Sequence, residues 1–99
     1  MSQENIITTG PVRASGYAQR FRRATFGALG PAIDAGQVTA KDVGAEAGRV
    51  NQAVFHLIAE KFALPKDAVM NITARYTLDG GRFHITDVAV EVFKLDKAL

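Results

Sequence analysis

The sequence predicts one α+β domain, a two-layer sandwich in which two main helices pack on a small, antiparallel-rich sheet of three strands, or four in an alternative interpretation. Its 99 residues are the size of a single domain, and 47% of them are apolar, which is enough for one core. Residues 39–65 carry apolar side chains at three- and four-residue steps, the period of an amphipathic helix. Residues 70–78 alternate apolar and polar side chains, the period of a half-buried strand. We expect the domain to span residues 1–99, with a frayed start at residues 1–5 and a tail at residues 96–99.

The first strand is predicted at residues 6–9, where every residue is β-branched. Gly10 and Pro11 interrupt it with a bend or bulge, and residues 12–14 resume it. Because proline has no N–H to donate to a ladder, we expect this strand at an edge of the sheet rather than at its centre.

The first helix is predicted at residues 17–29. Its apolar face combines four residues at helical spacing with two beside them: Tyr17, Phe21, Ala24 and Ala28, flanked by Phe26 and Leu29. Gly30 and Pro31 should break or kink this helix, because proline lacks an N–H and clashes with the preceding turn. A short second helix is then expected at residues 31–35, with Gly36 as its C-terminal cap.

The main helix is predicted at residues 39–65. It begins with a Thr-x-x-Asp signal, in which Thr39 accepts a free amide and Asp42 suits the positive first turn. Pro65 ends this helix, because proline disfavours helical geometry in the residue before it. The apolar stripe comprises Val43, Ala47, Val50, Val54, Leu57, Ile58 and Phe62. Gly44 and Gly48 lie one turn apart and each costs about 1 kcal/mol relative to alanine, so we expect another backbone to approach closely there, from the first helix or from a partner subunit.

The second half of the chain predicts a long hairpin. Residues 79–82 read Asp-Gly-Gly-Arg, and the two glycines supply the positive φ angles of a tight turn. In the strand that follows, Phe83 and Ile85 share one face, but the next apolar residues have the opposite parity: Val88, Val90 and Val92. One extra residue near Thr86 and Asp87 reconciles the two phases, so we predict a β-bulge there.

The last strand is apolar on both parities, since Ala89 and Phe93 alternate with the three valines. Cover on both faces would suit a homodimer interface. In the alternative interpretation of the fold, residues 37–40 form a further short strand, and the order becomes β-α-β-α-β-β.

Positive charge is concentrated near the start of the chain. The net charge is +2, but residues 1–30 contain four arginines and one acid, whereas the remaining eight basic residues are offset by nine acidic ones. The four arginines are Arg13, Arg20, Arg22 and Arg23, which we call the arginine group.

A guanidinium presents a planar fork that matches a phosphate, and the backbone amides at Ser15 and Gly16 would add to the attraction for an anion. We therefore predict that the arginine group contacts nucleic-acid phosphates, with Arg82 on the hairpin tip as a second contact. The alternative interpretation is a solvated helix face whose arginines form salt bridges.

No set of residues predicts catalysis or metal binding. His56 and Glu60 are four residues apart and read as a surface pair, and His84 reads as an exposed or interface residue. Two histidines without a third ligand are a weak metal signal, and the chain contains no cysteine for a disulfide or a thiolate zinc site. We find no nucleophile with a base and an orienting group, so we expect no enzyme activity and no cofactor.

Three segments of the sequence resemble a known protein family: TTGPVRASGYAQRFRRATF, AEAGRVNQAVFHLIAEKFALPKDAV and VEVFK. Together they resemble a small crenarchaeal protein family of unknown function, over about residues 7–95. The resemblance implies an archaeal, cytoplasmic, non-secreted protein without an established activity. The Gly30-Pro31 break departs from the longer continuous helix of that family. A weaker resemblance links size, mild basicity and the alternative strand order to Alba, the archaeal chromatin and RNA-binding family, although the lysine pair of Alba is absent.

The leading hypothesis from the sequence is a non-enzymatic protein that binds DNA or RNA and forms a homo-oligomer. The alternative is a small accessory subunit that docks on a larger protein or ribonucleoprotein assembly, such as a polymerase complex. We expect no membrane association, because no apolar run approaches the roughly 20 residues needed to span a bilayer.

Overall fold

A computed structural model describes residues 5–93 of the chain. Its helices and strands are β1 (Ile6–Thr8), β2 (Val12–Arg13), α1 (Tyr17–Asp34), α2 (Ala40–Phe55), β3 (Val69–Asp79) and β4 (Arg82–Phe93). A 3₁₀ turn, Ala14–Gly16, leads into α1, and a π-helix, His56–Lys61, continues α2. The two helices pack on an open antiparallel sheet, which confirms the predicted α+β fold. The predicted tail lies outside the described residues, as does the predicted frayed start except for Asn5, whose carbonyl accepts the Tyr76 N–H at 3.0 Å.

The sheet is built on β3. β4 pairs with β3 over the whole length of β3, while β1 and β2 pair with it on the opposite side as two parts of one interrupted edge strand. Thr9 bridges the interruption, because its N–H donates to the Ile72 carbonyl and its Oγ1 accepts the Ile72 N–H, both at 3.0 Å. The predicted edge strand and its break at Gly10 and Pro11 are therefore confirmed.

The predicted hairpin turn and β-bulge are both confirmed. Gly80 and Gly81 have φ angles of 59° and 82°, which suit a tight turn with two positive φ values. Arg75 lies opposite Asp87 and Tyr76 lies opposite Ile85, so Thr86 is the extra residue of the bulge.

The core lies between the helices and one face of the sheet. β3 and β4 contribute Met70, Ile72, Ala74, Phe83 and Ile85, and the helices contribute Tyr17, Phe21, Leu29, Val43, Ala47, Val50 and Val54. Asn51 joins the two helices. Its side-chain NH₂ donates to the Ala18 backbone carbonyl at 3.0 Å, and its backbone carbonyl accepts a hydrogen bond from the Tyr17 hydroxyl at 3.1 Å.

The prediction that Gly30 and Pro31 divide the first helix was wrong. α1 continues through Pro31 to Asp34 as one helix, and the carbonyl that would meet the proline ring belongs to Gly27, four residues earlier. The predicted cap is confirmed. Gly36 has φ 76°, its N–H donates to the Ile33 carbonyl, and the next N–H donates to the Ala32 carbonyl, both at about 3 Å, which is a Schellman ending.

Beyond Phe21, the buried face of α1 is shifted by one position from the prediction, from Ala24 and Ala28 to Thr25 and Leu29. Phe21, Thr25 and Leu29 are buried at four-residue steps, whereas Ala28 is exposed. Thr25 can be buried because its hydroxyl donates to the Phe21 carbonyl at 2.8 Å, so this hydroxyl has a partner.

The predicted start of the main helix is confirmed, since the Asp42 N–H donates to Thr39 Oγ1 at 3.1 Å. Its end is different, because the helix leaves α geometry at His56–Lys61 before it reaches the closing proline. In the π-helix the Phe62 N–H donates to the Leu57 carbonyl, five residues back, at 3.0 Å. A π turn holds an extra residue, so the residues that follow rotate out of the α-helical stripe. Phe62, which was predicted on that stripe, is 58% exposed.

Two further expectations fail within the described residues. The backbone of the first helix does not approach Gly44 or Gly48: side chains of that helix, Arg22 and Phe26, occupy the space over Gly44, and nothing lies within 4 Å of a Cβ placed on Gly48. Close approach of a partner subunit stays a prediction. Residues 37–40 form a bend and the start of α2 rather than a strand, so the β-α-β-α-β-β order is absent.

Candidate nucleic-acid interface

Three of the four residues of the arginine group line one cleft where β2 turns into α1. This arginine cleft has a volume of about 470 Å³ and is lined by Pro11, Val12, Arg13, Ser15, Gly16, Gln19, Arg20 and Arg23. The 3₁₀ turn between β2 and α1 is held against the loop that precedes β3. The Ala14 N–H donates to the Ala68 carbonyl at 2.8 Å, and the Ser15 N–H donates to the Lys66 carbonyl at 3.0 Å. Arg20 and Arg23 are three residues apart and so project from neighbouring turns of α1.

The arginine cleft is electropositive. Within residues 5–93, no ion pair involves Arg13, Arg20 or Arg23. Arg20 donates a long hydrogen bond from its Nη1 to the Thr9 carbonyl, at 3.4 Å. The alternative of arginines held in salt bridges therefore finds no support in this part of the chain. The prediction of a free amide at Ser15 was wrong, because that N–H is bonded to Lys66.

The other two predicted contacts lie elsewhere. Arg22 places its guanidinium carbon 4.9 Å from the centre of the Phe26 ring, a cation–π arrangement, and packs against Gly44 of α2. Arg82 lies at the hairpin and lines a separate cleft together with Glu46, Arg49 and His84. The structure thus brings together Arg13, Arg20 and Arg23, and it separates them from Arg22 and Arg82.

A second, apolar cleft adjoins the arginine cleft, and sequence reasoning missed it. It has a volume of about 720 Å³ and lies between the start of α1 and the π-helix. Its lining comprises Ala14, Ser15, Tyr17, Ala18, Phe55, Ile58, Ala59, Ala63, Leu64 and Lys66. Ser15 lines both clefts. The sequence signal that could have indicated this cleft was Phe55, a large apolar residue beside the predicted apolar stripe of the main helix. In the structure Phe55 is 51% exposed.

Glu46 forms the most connected polar cluster of the described chain, which joins α2 to β4. Its carboxylate accepts hydrogen bonds from Arg49 at 2.6 and 2.9 Å and from the Ile85 N–H at 2.8 Å, and Arg49 also donates to the Ile85 carbonyl at 3.1 Å. His84 Nδ1 lies 3.3 Å from the same carboxylate. The hydrogen bond from Arg49 and the one from the Ile85 amide outweigh the effect of burial and hold the pKa of Glu46 below its usual value.

The histidines take part in pairs rather than in a ligand cluster. His56 Nδ1 lies 3.0 Å from Glu60, and both side chains are mostly exposed. Among residues 5–93, no three His, Cys, Asp or Glu side chains come close enough together to hold a metal ion. Neither helix in this range is long and apolar enough to cross a bilayer.

Comparison with known proteins identifies the family. A family model described as ThermoDBP-related, archaea, matches residues 7–84. The chain belongs to this family. The expected archaeal family membership is thus confirmed, whereas the resemblance to Alba finds no support. No match was found among curated proteins.

Two solved structures of ThermoDBP-related proteins are similar to this chain. One is apeThermo-DBP-RP2 bound to the ssDNA dT10, which is 30% identical, with a TM-score of 0.88 over 95% of this chain and 44% of that one. The other is pfuThermo-DBP-RP1, in its crystal form II, also 30% identical, with a TM-score of 0.75 over 90% of this chain and 58% of that one. The chain therefore spans about half the length of these two relatives.

Proposed function

We propose that this protein binds single-stranded DNA without catalysing a reaction, and that Arg13, Arg20 and Arg23 hold the phosphates. The observation that carries the proposal is the relative that covers 95% of this chain and was crystallised with ssDNA. The arginine cleft supports the choice of surface, because three guanidinium groups line it and none of them forms an ion pair within residues 5–93.

The energetics of such a site follow from charge. Each phosphate contact releases condensed counterions, so the logarithm of the binding constant falls with the logarithm of salt by about 0.7 per contact on a single strand. Three arginine contacts therefore predict a slope of about −2. A guanidinium can also donate two parallel hydrogen bonds to one phosphate through its planar fork, whereas a lysine ammonium acts as a point charge.

The test is fluorescence anisotropy of labelled dT10 titrated with the protein at several salt concentrations. We expect saturable binding, and we expect the double variant Arg20→Ala/Arg23→Ala to bind more weakly with a salt slope smaller by about 1.4. The single variants Arg20→Ala and Arg23→Ala have Arg82→Ala as their matched control, since each removes one positive charge and Arg82 lies outside the arginine cleft. If Arg82→Ala weakens binding and the double variant does not, the assignment of the surface is wrong.

The same titration with single-stranded RNA and with duplex DNA addresses the choice of nucleic acid. Binding of dT10 that is no tighter than binding of duplex DNA would contradict the single-strand proposal. Equal affinity for RNA would extend it to single strands in general.

We also propose that the chain pairs with a second copy through β4. This strand is an edge of the sheet. Val88 and Val92 lie opposite Ala74 and Met70 on the face that carries the helices, but they are about 40% exposed because the helices do not cover this part of the face. An antiparallel pair of β4 strands with its two-fold axis at Val90 places Val88 opposite Val92. In this register Asp87 faces Phe93 and Glu91 faces Ala89, whereas a shift of the axis by one residue, to Ala89, would bring Asp87 and Glu91 together, so charge favours one register.

Light scattering during size-exclusion chromatography tests this pairing. We expect a dimer for the natural chain and a monomer for Val90→Lys, because two lysines would face each other at the axis. The exposed Val88 and Val92 on β4 are also the observation that favours the accessory-subunit hypothesis. A natural chain that is monomeric at all concentrations would overturn the pairing and leave β4 free for a different protein.

A further inference from the structure

We propose that Arg22, held against Phe26 and over Gly44, is a separate phosphate subsite for a single strand that leaves the arginine cleft and crosses α1. This proposal rests on the proposed function and adds a fourth phosphate contact to it. The ligand is the same phosphodiester backbone, but the subsite is on the side of α1 that faces α2.

The arginines of α1 follow one another around its exposed surface. Successive residues of an α-helix are about 100° apart around the axis, so Arg23 lies about 60° from Arg20, and Arg22 lies about 100° beyond Arg23. All three side chains are exposed, and the buried residues of α1 lie outside this arc. Because Arg20 and Arg23 line the arginine cleft, the positive surface continues from that cleft across α1 towards α2.

The charges beside this path are favourable for a polyanion. The first acidic residue of α1 is Asp34, at its last position. On α2, the exposed Lys41 lies three residues before Gly44 and so on the same side of that helix, whereas Asp42 lies about opposite. Asp42 accordingly lines a different cleft, the one that contains Arg82. A strand that crosses α1 here therefore meets cationic side chains on both helices.

Arg22 is held in place without the use of its hydrogen-bond donors. Its guanidinium carbon lies 4.9 Å from the centre of the Phe26 ring. Within residues 5–93 this side chain makes no hydrogen bond and no ion pair. Binding costs conformational entropy when a long side chain has to be fixed. Because the ring already restricts Arg22, less entropy is lost on binding a phosphate, and the N–H donors of the guanidinium are available for it.

Gly44 provides the space in which the guanidinium lies. A Cβ atom on this glycine would be 3.3 Å from Arg22 Nη1 and 3.5 Å from Phe26 Cζ, so a larger residue would push the guanidinium aside. Glycine inside a helix is destabilising relative to alanine, and the seat for Arg22 gives this glycine a physical role. Nothing lies within 4 Å of a Cβ placed on Gly48, one turn further along α2. The two glycines are therefore a matched pair for experiment.

The experiment measures the salt dependence of dT10 binding by fluorescence anisotropy. A fourth contact changes the expected slope of the natural protein from about −2 to about −2.8. We expect Arg22→Ala to bind dT10 about 5- to 10-fold more weakly, with a slope smaller by about 0.7. Arg22→Lys should keep the slope but not the affinity, because lysine keeps the charge without the planar group. Arg82→Ala is the matched control and should leave both quantities unchanged.

The two glycines test the position of Arg22 without removal of its charge. Gly44→Ala should weaken dT10 binding by a smaller factor than Arg22→Ala does, with an unchanged salt slope, because the new Cβ displaces the guanidinium. Gly48→Ala should bind like the natural protein, and urea unfolding shows that each variant is folded. An equal loss of affinity in the two glycine variants would overturn the role of Gly44 in positioning Arg22.

Strand length separates the Arg22 subsite from the arginine cleft. An unlabelled dT4 competitor has three phosphates, as many as the cleft has arginines, so it can fill the cleft without reaching Arg22. We expect Arg22→Ala to weaken the binding of dT10 more than that of dT4. An equal effect on both strands, or no effect on dT10, would overturn the separate subsite while the arginine cleft stood. Failure of the natural protein to bind either strand would instead remove the proposed function itself, so the two failures are distinct.

Discussion

Replacement of Glu46 by glutamine should destabilise the fold at neutral pH and have little effect in acid. Glu46 is only 13% exposed and accepts bonds from Arg49 and from the Ile85 amide. Hydrogen bonds to charged groups contribute about 1.5–3 kcal/mol, roughly twice the neutral value. Because glutamine keeps one acceptor oxygen and Arg49 is half exposed, we expect a net loss of about 1–2 kcal/mol in the free energy of unfolding.

The pH dependence has a definite sign. The folded state lowers the pKa of Glu46 relative to the unfolded chain. Its stabilising contribution is therefore complete above the unfolded value of about 4.3 and disappears as the pH falls through the folded pKa. Urea unfolding of the natural protein and of Glu46→Gln, from neutral pH down into acid, should give curves that differ at neutral pH and converge in acid.

The matched control for Glu46→Gln is Glu60→Gln. Glu60 pairs with His56 on the surface, and both side chains are mostly exposed, so we expect a change below about 0.5 kcal/mol. A thermal scan at neutral pH offers a second measurement, since a loss of 1 kcal/mol lowers Tm by about 4–8 °C in a domain of this size. If Glu46→Gln is as stable as the natural protein at neutral pH, or if their difference persists in strong acid, the reasoning about this carboxylate is refuted.

Four further substitutions concern stability and are checked by urea unfolding at neutral pH. Thr39→Ala should cost about 1 kcal/mol, because it removes the acceptor for the Asp42 N–H at the start of α2; no change would show that the cap is redundant. Gly80→Ala should cost more than about 1 kcal/mol, because alanine is strained at φ 59°, whereas the same substitution at Gly48, which is in α2 with open space around it, should stabilise by up to about 1 kcal/mol. Thr9→Val should cost about 1–3 kcal/mol, because it leaves the buried Ile72 N–H without its acceptor, and a neutral result would mean that the interrupted strand rearranges.

The hairpin was the most predictable part of the fold. A strand has a side-chain period of two, so a change of parity between Ile85 and Val88 admits few explanations other than an inserted residue. The turn was equally constrained, since Gly80-Gly81 between two apolar segments favours a tight turn. These signals are local and were sufficient.

The helices were predicted less well, because tertiary packing overrides local signals. Gly30 and Pro31 are breakers in isolation, yet α1 passes through them and buries Leu29 on its inner side. The π-helix has no sequence signature comparable to a proline or a cap, so the rotation that exposes Phe62 could not be anticipated.

The candidate site was predicted in part. Arg13, Arg20 and Arg23 were identified from charge alone, but charge could not show which arginines share a surface. Arg22 differs from Arg23 by one position, and this rotation about the helix axis is enough to direct it onto Phe26 of α1 and Gly44 of α2 instead of into the arginine cleft. Phe55 is contributed by α2, far along the chain from the arginines, and only the fold places its cleft beside theirs.

The break in the first strand has a consequence for assembly. An open sheet edge has unpaired backbone N–H and C=O groups, so further chains can add to it in succession and form a fibre. Here one edge consists of segments of three and two residues separated by residues 9–11, so it offers a poor template, while β4 is a single strand of twelve residues with one bulge at Thr86. Addition through β4 would leave two interrupted edges facing outward, and growth would end at two copies. In the proposed β4 dimer, Gly10 and Pro11 would therefore limit assembly to two copies, because they interrupt the strand at each outer edge.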